Sequence, residues 1–515
     1  MKFPENTYEP LNLFSNFKEA SVKFPEVTIQ SDSDLPAFPE FGREVTYEKA
    51  TEAIVKRANQ LIKLGVKKED KVIIFKSSRF DTYLLAVAVS YIGAVPAMIS
   101  HHLPTEIMSV LSDRLEKPWL IFDEATEPVA TELKASDHIH AIKLADLVVT
   151  PIEESDYVEQ AFLDRDQISY ITHTSGTTGI PKLIAHSANS MGWRTTWQRN
   201  VFDLIPEKKL MAFHISPVHS RFNIGISSAM FKGFPLLNIS NLAEEQVKAT
   251  LIQYQPYTLE THPNNFVRWS RLAKKAPEAF NSVSYFHSTF DAINKGTMAD
   301  FLNASADPNA CFMQVYGQSE CGPMIFKFHK KETVMSVDSR DMGIGMPGLT
   351  EVKIVDAEGN EQPANTPGNI LMLSKGRALT YYKEDQRFAD NVYDAWWDSG
   401  DYGIKNEAGE LFLYDRQVDL IETVDSNLAL EDVLLDQLEF LDEVVIVRGI
   451  DDKPQPIISV AEGCDMDWSR WWNLVAEMPT LNEPIIMTFD AIPRTATMKV
   501  QRLVLEKEIK EGRLA

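Results

Sequence analysis

The residue types best suited to chemistry crowd into one stretch, "YITHTSGTTGIPKLIAHS", Tyr170 to Ser187. Thr174, Ser175, Thr177 and Thr178 supply hydroxyls, Gly176 and Gly179 let backbone approach a ligand closely, and Lys182 adds one positive charge. Backbone N–H groups, hydroxyls and a cation together can cradle phosphate oxygens. The run "ISYITHT" reads as a strand, so the loop leaves a strand end. It is not the loop G-x-x-x-x-G-K-[ST], because no Gly-Lys-Ser/Thr follows. The plain alternative is a flexible turn, but random sequence seldom packs these types so tightly before a lysine.

Four further stretches carry polar groups in suggestive settings. "QVYGQSECGPM" places Tyr316, Ser319 and Glu320 at a strand end. Its aromatic ring offers a stacking face for a base, and its hydroxyl and carboxylate suit a phosphate and Mg2+. Tyr316 as plain core is the alternative. "WWDSGDYG" reads as a turn in which Asp401 can accept two hydrogen bonds from a ribose diol; Asp398 and Asp401 as ordinary turn residues is the other reading. "YDRQVDLI" contains Arg416, and "PRTATMKVQR" contains Lys499, which by itself would be a solvated surface lysine.

The elements that must position these groups alternate. "TYEKATEAIVKRANQLIKLG" has apolar residues at helical spacing, with Gly65 as its stop, and "KVIIF" is a short buried strand. "TEIMSVLSDRL" repeats the helix and "PWLIF" the strand. "LMAFHIS", "PLLNIS", "YTLET" and "CFMQVYG" continue the pattern. Such alternation implies α/β architecture with mostly parallel sheets and packed helices. From about Gly343 short strands with Gly turns ("GNILMLS", "GELFLYD") suggest a β subdomain. A boundary near Asp415 and Arg416 would separate a large N-terminal domain, 1–415, from a small mobile α+β C-terminal domain, 416–515.

Composition excludes several classes. The chain has 515 residues, too many for one core, so at least two domains are expected. The net charge of -23 argues against a nucleic-acid partner. Cys311, Cys321 and Cys464 show no metal spacing and are odd in number, which disfavours a disulfide framework. The polar start "MKFPENTYEP" lacks a signal-peptide core, and a cytoplasmic location is expected. The apolar run Tyr83 to Ser100 is broken by Gly93 and Pro96, so it reads as a buried helix, a turn and a strand, not a membrane span. Trp468, Trp471 and Trp472 read as helix-packing residues.

In this order the five stretches resemble the adenylate-forming superfamily: acyl-CoA synthetases, acyl- and aryl-acid AMP ligases, adenylation domains and beetle luciferases. "TSGTTGIPK" matches the motif S/T-S/T-G-T-T-G-x-P-K in full. "YGQSE", "SGDYG", "DRQVD" and "PRTATMKVQR" resemble Y-G-x-T/S-E, T/S-G-D, G-R-x-x-D and P-x-T-x-x-G-K-x-x-R. The resemblance covers nearly the whole chain. It implies that ATP and a carboxylic acid form an acyl-adenylate and pyrophosphate, after which a thiol of CoA or of a carrier protein's phosphopantetheine accepts the acyl group. In that scheme Thr174, Ser175, Gly176, Thr177, Thr178 and Lys182 hold the β- and γ-phosphates. Tyr316 stacks on adenine, Ser319 meets the α-phosphate and Glu320 holds Mg2+. Asp401 and Arg416 bind the ribose, and Lys499 bridges the substrate carboxylate and α-phosphate. Asp291, within "STFDAI", stands where the adenine amino group is accepted. His219, in "ISPVHSRFNIG", matches the acyl-pocket histidine, with a packed core histidine as the alternative.

The chain also departs from the pattern. Glu422 stands for a lysine, Asp425 for a glycine, Val418 for the usual Asp or Lys at the hinge, and Met498 for a glycine. The added acidic residues would repel the phosphates of CoA or of a phosphopantetheine arm, which opens the possibility of a non-thiol acceptor. Ser220 replaces the aspartate that holds an α-ammonium, which disfavours an α-amino acid. Arg221 suggests a second substrate carboxylate or hydroxyl, or else a surface salt bridge. A non-catalytic nucleotide- or acyl-binding protein on the same fold is the competing class.

Overall fold

The computed structural model describes residues 8–174, 180–289, 293–461, 463–494 and 500–514. It divides into two compact units. The first holds residues 1–260, 318–323 and 374–390; the second holds 261–317, 324–373 and 391–515.

The first unit contains a seven-stranded sheet in the order Thr380–Tyr381, Leu183–Ser187, Ile168–His173, Val95–Met98, Lys71–Phe75, Trp119–Phe122, His140–Lys143. The last five run parallel. The central three, Val95–Met98, Lys71–Phe75 and Trp119–Phe122, are almost unbroken apolar runs because nearly every position in them is buried, whereas His140 in the edge strand is exposed. The helix Phe80–Tyr91 is buried along its whole length, which explains why Tyr83 to Ser100 resembles a membrane span. Among the described residues no helix is long and apolar enough to cross a membrane. The helix Tyr47–Lys63 begins at Thr46, whose hydroxyl accepts from the Lys49 N–H, and the chain turns away at Gly65 with φ +111°. A second group of strands in this unit joins Glu44–Thr46, Thr28–Ser31, Leu236–Asn238 and Met211–His214.

In the second unit Tyr285–Thr289 and Cys311–Gln318 pair in parallel. Beyond them the sheet turns antiparallel through Asp341–Gly345, Leu411–Arg416, Trp396–Lys405 and Gly368–Ser374. This is the β-rich stretch expected after Gly343. The C-terminal residues form a three-stranded sheet of Leu441–Arg448, Pro454–Val460 and Ile485–Ile486. The helix Asn427–Gln437 packs on one apolar cluster of this region, which includes Leu434 and Trp471. The helix Arg502–Lys510 packs on another, through Leu505 and Ile509. Only Trp471 of the three tryptophans packs as expected. Trp468 and Trp472 are exposed and stack on each other at 6.1 Å, because the helix Trp468–Val475 turns one narrow face inward.

Candidate active site

The site is built from the hairpin of the opening motif. Ile168–His173 and Leu183–Ser187 pair antiparallel. Thr174 and Lys182 close its neck: the Thr174 N–H donates to the Lys182 carbonyl at 3.0 Å, and the Lys182 N–H donates to Thr174 Oγ1 at 3.1 Å. His173 braces the same neck. Its Nε2 accepts from the Ser100 N–H at 3.0 Å, so the ring proton sits on Nδ1 and donates to the Thr174 carbonyl at 2.7 Å. Burial holds the His173 pKa below its ordinary value, which keeps the ring neutral in this role. Ser175, Gly176, Thr177 and Thr178 lie outside the described residues, as do Asp291 and Lys499.

Beyond the neck a phenol links a cation to a carboxylate. Lys182 Nζ donates to the Tyr381 hydroxyl at 3.2 Å and lies 4.6 Å from the centre of its ring. The Tyr381 hydroxyl donates to Glu320 Oε1 at 2.6 Å. Burial, then the adjacent Glu320 charge, pushes the Tyr381 pKa up, so the phenol keeps its proton and can only donate to the carboxylate. Burial pulls the Lys182 pKa down and Glu320 opposes it.

Glu320 and Ser319 stand in the tight turn between Cys311–Gln318 and Gly322–Lys330. That turn is held by Arg194, from the helix Ala188–Phe202. Arg194 is buried and donates to the carbonyls of Gly376 at 2.7 Å, Ser319 at 3.0 Å and Glu320 at 2.7 Å, and to Ser220 Oγ at 3.2 Å. Burial lowers its pKa to about 10, so it stays cationic at neutral pH. A Cβ at Gly376 would lie 2.6 Å from Arg194 Cγ, and one at Gly322 would lie 2.9 Å from its Cδ, so these glycines make room for the guanidinium arm. His219 is buried and stands at the N-cap position of the helix Ser220–Lys232, without a side-chain capping bond.

A second constellation lies in the other unit. The Tyr316 hydroxyl donates to Asp401 Oδ2 at 2.7 Å. Asp401 is opposite Arg416 in the strand register, and Arg416 Nε donates to Asp419 Oδ2 at 2.8 Å. Asp401 therefore sits within the strand Trp396–Lys405, not in a turn. Gly400, at φ +72°, lies where the register with Gly368–Ser374 shifts, Asn369 pairing with Tyr402 but Leu371 with Asp398. The turn-like composition "DSGD" marks this bulge.

Arg221 corrects another expectation. It is buried, not on the surface, and grips Glu260 with two bonds, Nε to Oε1 at 2.6 Å and Nη2 to Oε2 at 2.8 Å. Val418, Glu422 and Asp425 are exposed. Tyr381, Arg194 and His173 were not foreseen. An arginine in a helix whose positions 190 and 198 carry no acid is the one sequence signal that could have pointed to Arg194.

The chain belongs to the AMP-binding enzyme family, whose model matches residues 24–382. It is thus a member of the adenylate-forming superfamily that its motifs resemble. It is 34% identical over 509 residues to a 3-amino-2-hydroxy-4-methoxybenzoate diazotase of Streptomyces cremeus, covering 93% of this chain and 92% of that protein. It is 25% identical over 489 residues to a 2-succinylbenzoate–CoA ligase of Listeria monocytogenes serotype 4b (strain F2365), covering 90% and 95%. Its fold matches the O-succinylbenzoate coenzyme A synthetase of Bacillus subtilis in complex with AMP, with a TM-score of 0.78, 17% identity and coverage of 97% and 98%.

Proposed function

We propose that the protein uses ATP to adenylate a small acid and passes the activated group to an acceptor. The observation that carries this reading is the Lys182–Tyr381–Glu320 chain beside the neck of the hydroxyl-rich loop. A lysine there neutralises phosphate oxygens as pyrophosphate departs. Glu320 is a hard oxygen donor held at one oxygen by Tyr381, which suits a Mg2+ ion arriving with the ATP phosphates. Among the described residues no three His, Cys, Asp or Glu side chains group as a resident metal site would need. One carboxylate and the substrate's own phosphates are the usual arrangement for Mg2+. Bound there, the ion would draw charge from the phosphates.

The remaining assignments follow. Thr174, Ser175, Gly176, Thr177 and Thr178 line the phosphates. Ser319 meets the α-phosphate, Tyr316 and Asp291 take the adenine, and Asp401 and Arg416 take the ribose. His219 borders the acid. Residues 416–515 move as a small domain and bring Lys499 to the reacting oxygens; their own sheet and apolar clusters support that division. The reaction is mostly positioning and charge stabilisation, so loops and single charges suffice. CoA or a carrier-protein phosphopantetheine is the acceptor in the first reading.

A second reading has a specific basis. The relative that is 34% identical bears the name of a diazotase, and Glu422 and Asp425 put exposed negative charge where a CoA phosphate would approach. Here nitrite takes the place of the carboxylate. Its oxygen attacks the α-phosphorus and pyrophosphate leaves; the aryl amine nitrogen then attacks the nitrosyl nitrogen as AMP and one amine proton leave, and the resulting nitrosamine tautomerises to a diazohydroxide that takes up a proton and loses water to give the diazonium. ATP–pyrophosphate exchange against aryl acids, aliphatic acids, amino acids and nitrite tests both. Exchange with an organic acid supports the first reading, and exchange with nitrite supports the second. No exchange in a folded, ATP-binding protein would overturn both in favour of a non-catalytic binding protein.

A further inference from the structure

The N-terminal segment, residues 8–11, lies along the helix Ala188–Phe202 that carries Arg194. The Leu11 N–H donates to the Ala188 carbonyl at 2.8 Å, and the Tyr8 hydroxyl donates to Asn189 Oδ1. The Tyr8 ring stacks on Trp193, with centres 4.0 Å apart and planes 22° from parallel. The segment thus follows the helix from Ala188 to Trp193, the neighbour of Arg194.

Gly192 shows that the helix is built to take this segment. Glycine weakens a helix interior, so some constraint should explain it. A Cβ there would lie 2.9 Å from Pro10 Cα and nearer still to the Glu9 carbonyl. Backbone cannot swing aside as the end of a flexible side chain can. Any larger residue would therefore lift the segment off the helix.

A second set of contacts leads from Trp193 to the proposed metal carboxylate. Lys375 Nζ lies 4.6 Å from the centre of the Trp193 ring, within the reach of a cation–π attraction. The residues around Lys375 are stitched to the turn of Ser319 and Glu320. Ser374 Oγ donates to the Cys321 carbonyl at 2.7 Å, and the Ala378 N–H donates to the Glu320 carbonyl at 2.7 Å. Gly376, next to Lys375, accepts from Arg194, which also donates to the turn. All of these residues belong to the first unit. Trp193 and Arg194, adjacent in one helix, thus hold the same strip, the first by its ring and the second by its guanidinium.

We propose that residues 8–11 brace the Ser319–Glu320 turn, with Tyr8 and Trp193 as positioning residues that act through Lys375 and Arg194. Tyr381 orients the Glu320 side chain; the brace fixes the main chain that carries it. The metal role of Glu320 in this inference rests on the adenylating reading.

Two variants remove the brace without touching Arg194 or Glu320. Gly192→Ala drives a Cβ into the Glu9–Pro10 backbone, and Tyr8→Ala deletes the stacked ring. Each should raise the Mg2+ needed for half-maximal ATP–pyrophosphate exchange by about two- to tenfold, the range of one cation–π contact. The double variant should do no more than the stronger single, because both remove one brace. A structural role alone predicts a lower melting temperature with the Mg2+ requirement unchanged. Amide deuteration reads the brace without turnover: residues 318–323 should label at least about threefold faster in both variants, with Lys71–Phe75 unaltered. Unchanged labelling at 318–323, an unchanged Mg2+ requirement in an active enzyme, or effects that multiply in the double variant would overturn the inference. If Gly192→Ala does not fold, Tyr8→Ala decides. Faster labelling at 318–323 in a protein without any pyrophosphate exchange would uphold the brace and count against the adenylating reading.

Discussion

Tyr381→Phe removes one oxygen and leaves the ring. The ring keeps its packing, including the edge contact with Phe388 at 5.1 Å, and its face toward Lys182. Two bonds are lost. The one to Glu320 is short, at 2.6 Å, and is made to a charged acceptor; the one from Lys182 is long, at 3.2 Å. A hydrogen bond to a charged group contributes roughly 1.5–3 kcal/mol. We take about 2 kcal/mol for the Glu320 bond and little for the other, or about 30-fold in kcat/KM. Loss of a partner that orients a metal-binding carboxylate typically costs about 10–100-fold in metal affinity. ATP–pyrophosphate exchange should therefore need about 10–100-fold more Mg2+ for half-maximal rate, and saturating Mg2+ should restore much of the loss. The melting temperature should fall by no more than about 3 °C in a chain of this size. An unchanged Mg2+ dependence, with the melting temperature lowered, would make Tyr381 a packing residue and refute the carboxylate-orienting role.

Other perturbations give separable outcomes. Lys499→Ala should leave ATP binding intact and lower adenylation by about 10²–10³-fold, read by pyrophosphate exchange beside nucleotide titration; unchanged exchange would remove Lys499 from the reaction. Arg194→Met takes the donor from the carbonyls of Gly376 and Ser319, while the Glu320 carbonyl keeps the Ala378 N–H, and should destabilise by roughly 2–5 kcal/mol, while Arg194→Lys should recover part of the stability but not the Mg2+ response; denaturant unfolding and exchange check the two halves. Glu422→Lys with Asp425→Gly removes exposed negative charge worth roughly 1 kcal/mol per contact in water, so thioester formation with CoA should improve about tenfold at low salt, whereas its absence in both proteins would favour the non-thiol acceptor. Asp432 tests pH. Burial raises its carboxyl to about 7, with Asp436 and Glu431 adding to the rise and Ser339 and Arg340 opposing it. The folded state holds that proton more tightly than the unfolded state does. Its stabilising contribution is full below about pH 4 and is lost as pH rises through about 7. Asp432→Asn should thus match the wild type near pH 4 and exceed it by at most about 4 kcal/mol above pH 7, as read by urea unfolding across that range.

What the sequence revealed was whatever depends on near neighbours. "KVIIF" and "PWLIF" announce buried parallel strands because both faces of each strand are covered, and the observed bounds, Lys71–Phe75 and Trp119–Phe122, follow them closely. The stretch rich in hydroxyls and glycine stands out through composition alone. Asp401 was misplaced into a turn because Gly400 carries the same signal in a bulge as in a loop; only its pairing with the strand ending at Arg416 separates the two. Arg221 was read either as meeting a second substrate carboxylate or hydroxyl or as half of a surface salt bridge, the commoner fate of an isolated arginine. Its partner, Glu260, is 39 residues away, on the strand Thr258–Thr261, whereas Arg221 lies on a helix, so the buried pair leaves no local trace.

The same limit explains the carboxylates. Glu320 and Asp401 were both legible as acids near Gly-rich turns, but what holds each was not. In both cases a buried tyrosine hydroxyl does so, Tyr381 to Glu320 at 2.6 Å and Tyr316 to Asp401 at 2.7 Å. The partners are 61 and 85 residues apart in the chain, beyond any periodicity. A phenol suits this task better than a cation. It donates one directed bond, fixes the carboxylate rotamer and leaves the negative charge intact for a metal ion or a diol; an arginine would neutralise that charge and compete with the ligand. Tyr316 therefore has a use other than the proposed stacking on a base. Tyr316→Phe should keep the stacking face and still weaken nucleotide binding through Asp401, whereas a pure stacking role predicts no change. Equilibrium titration with AMP separates the two.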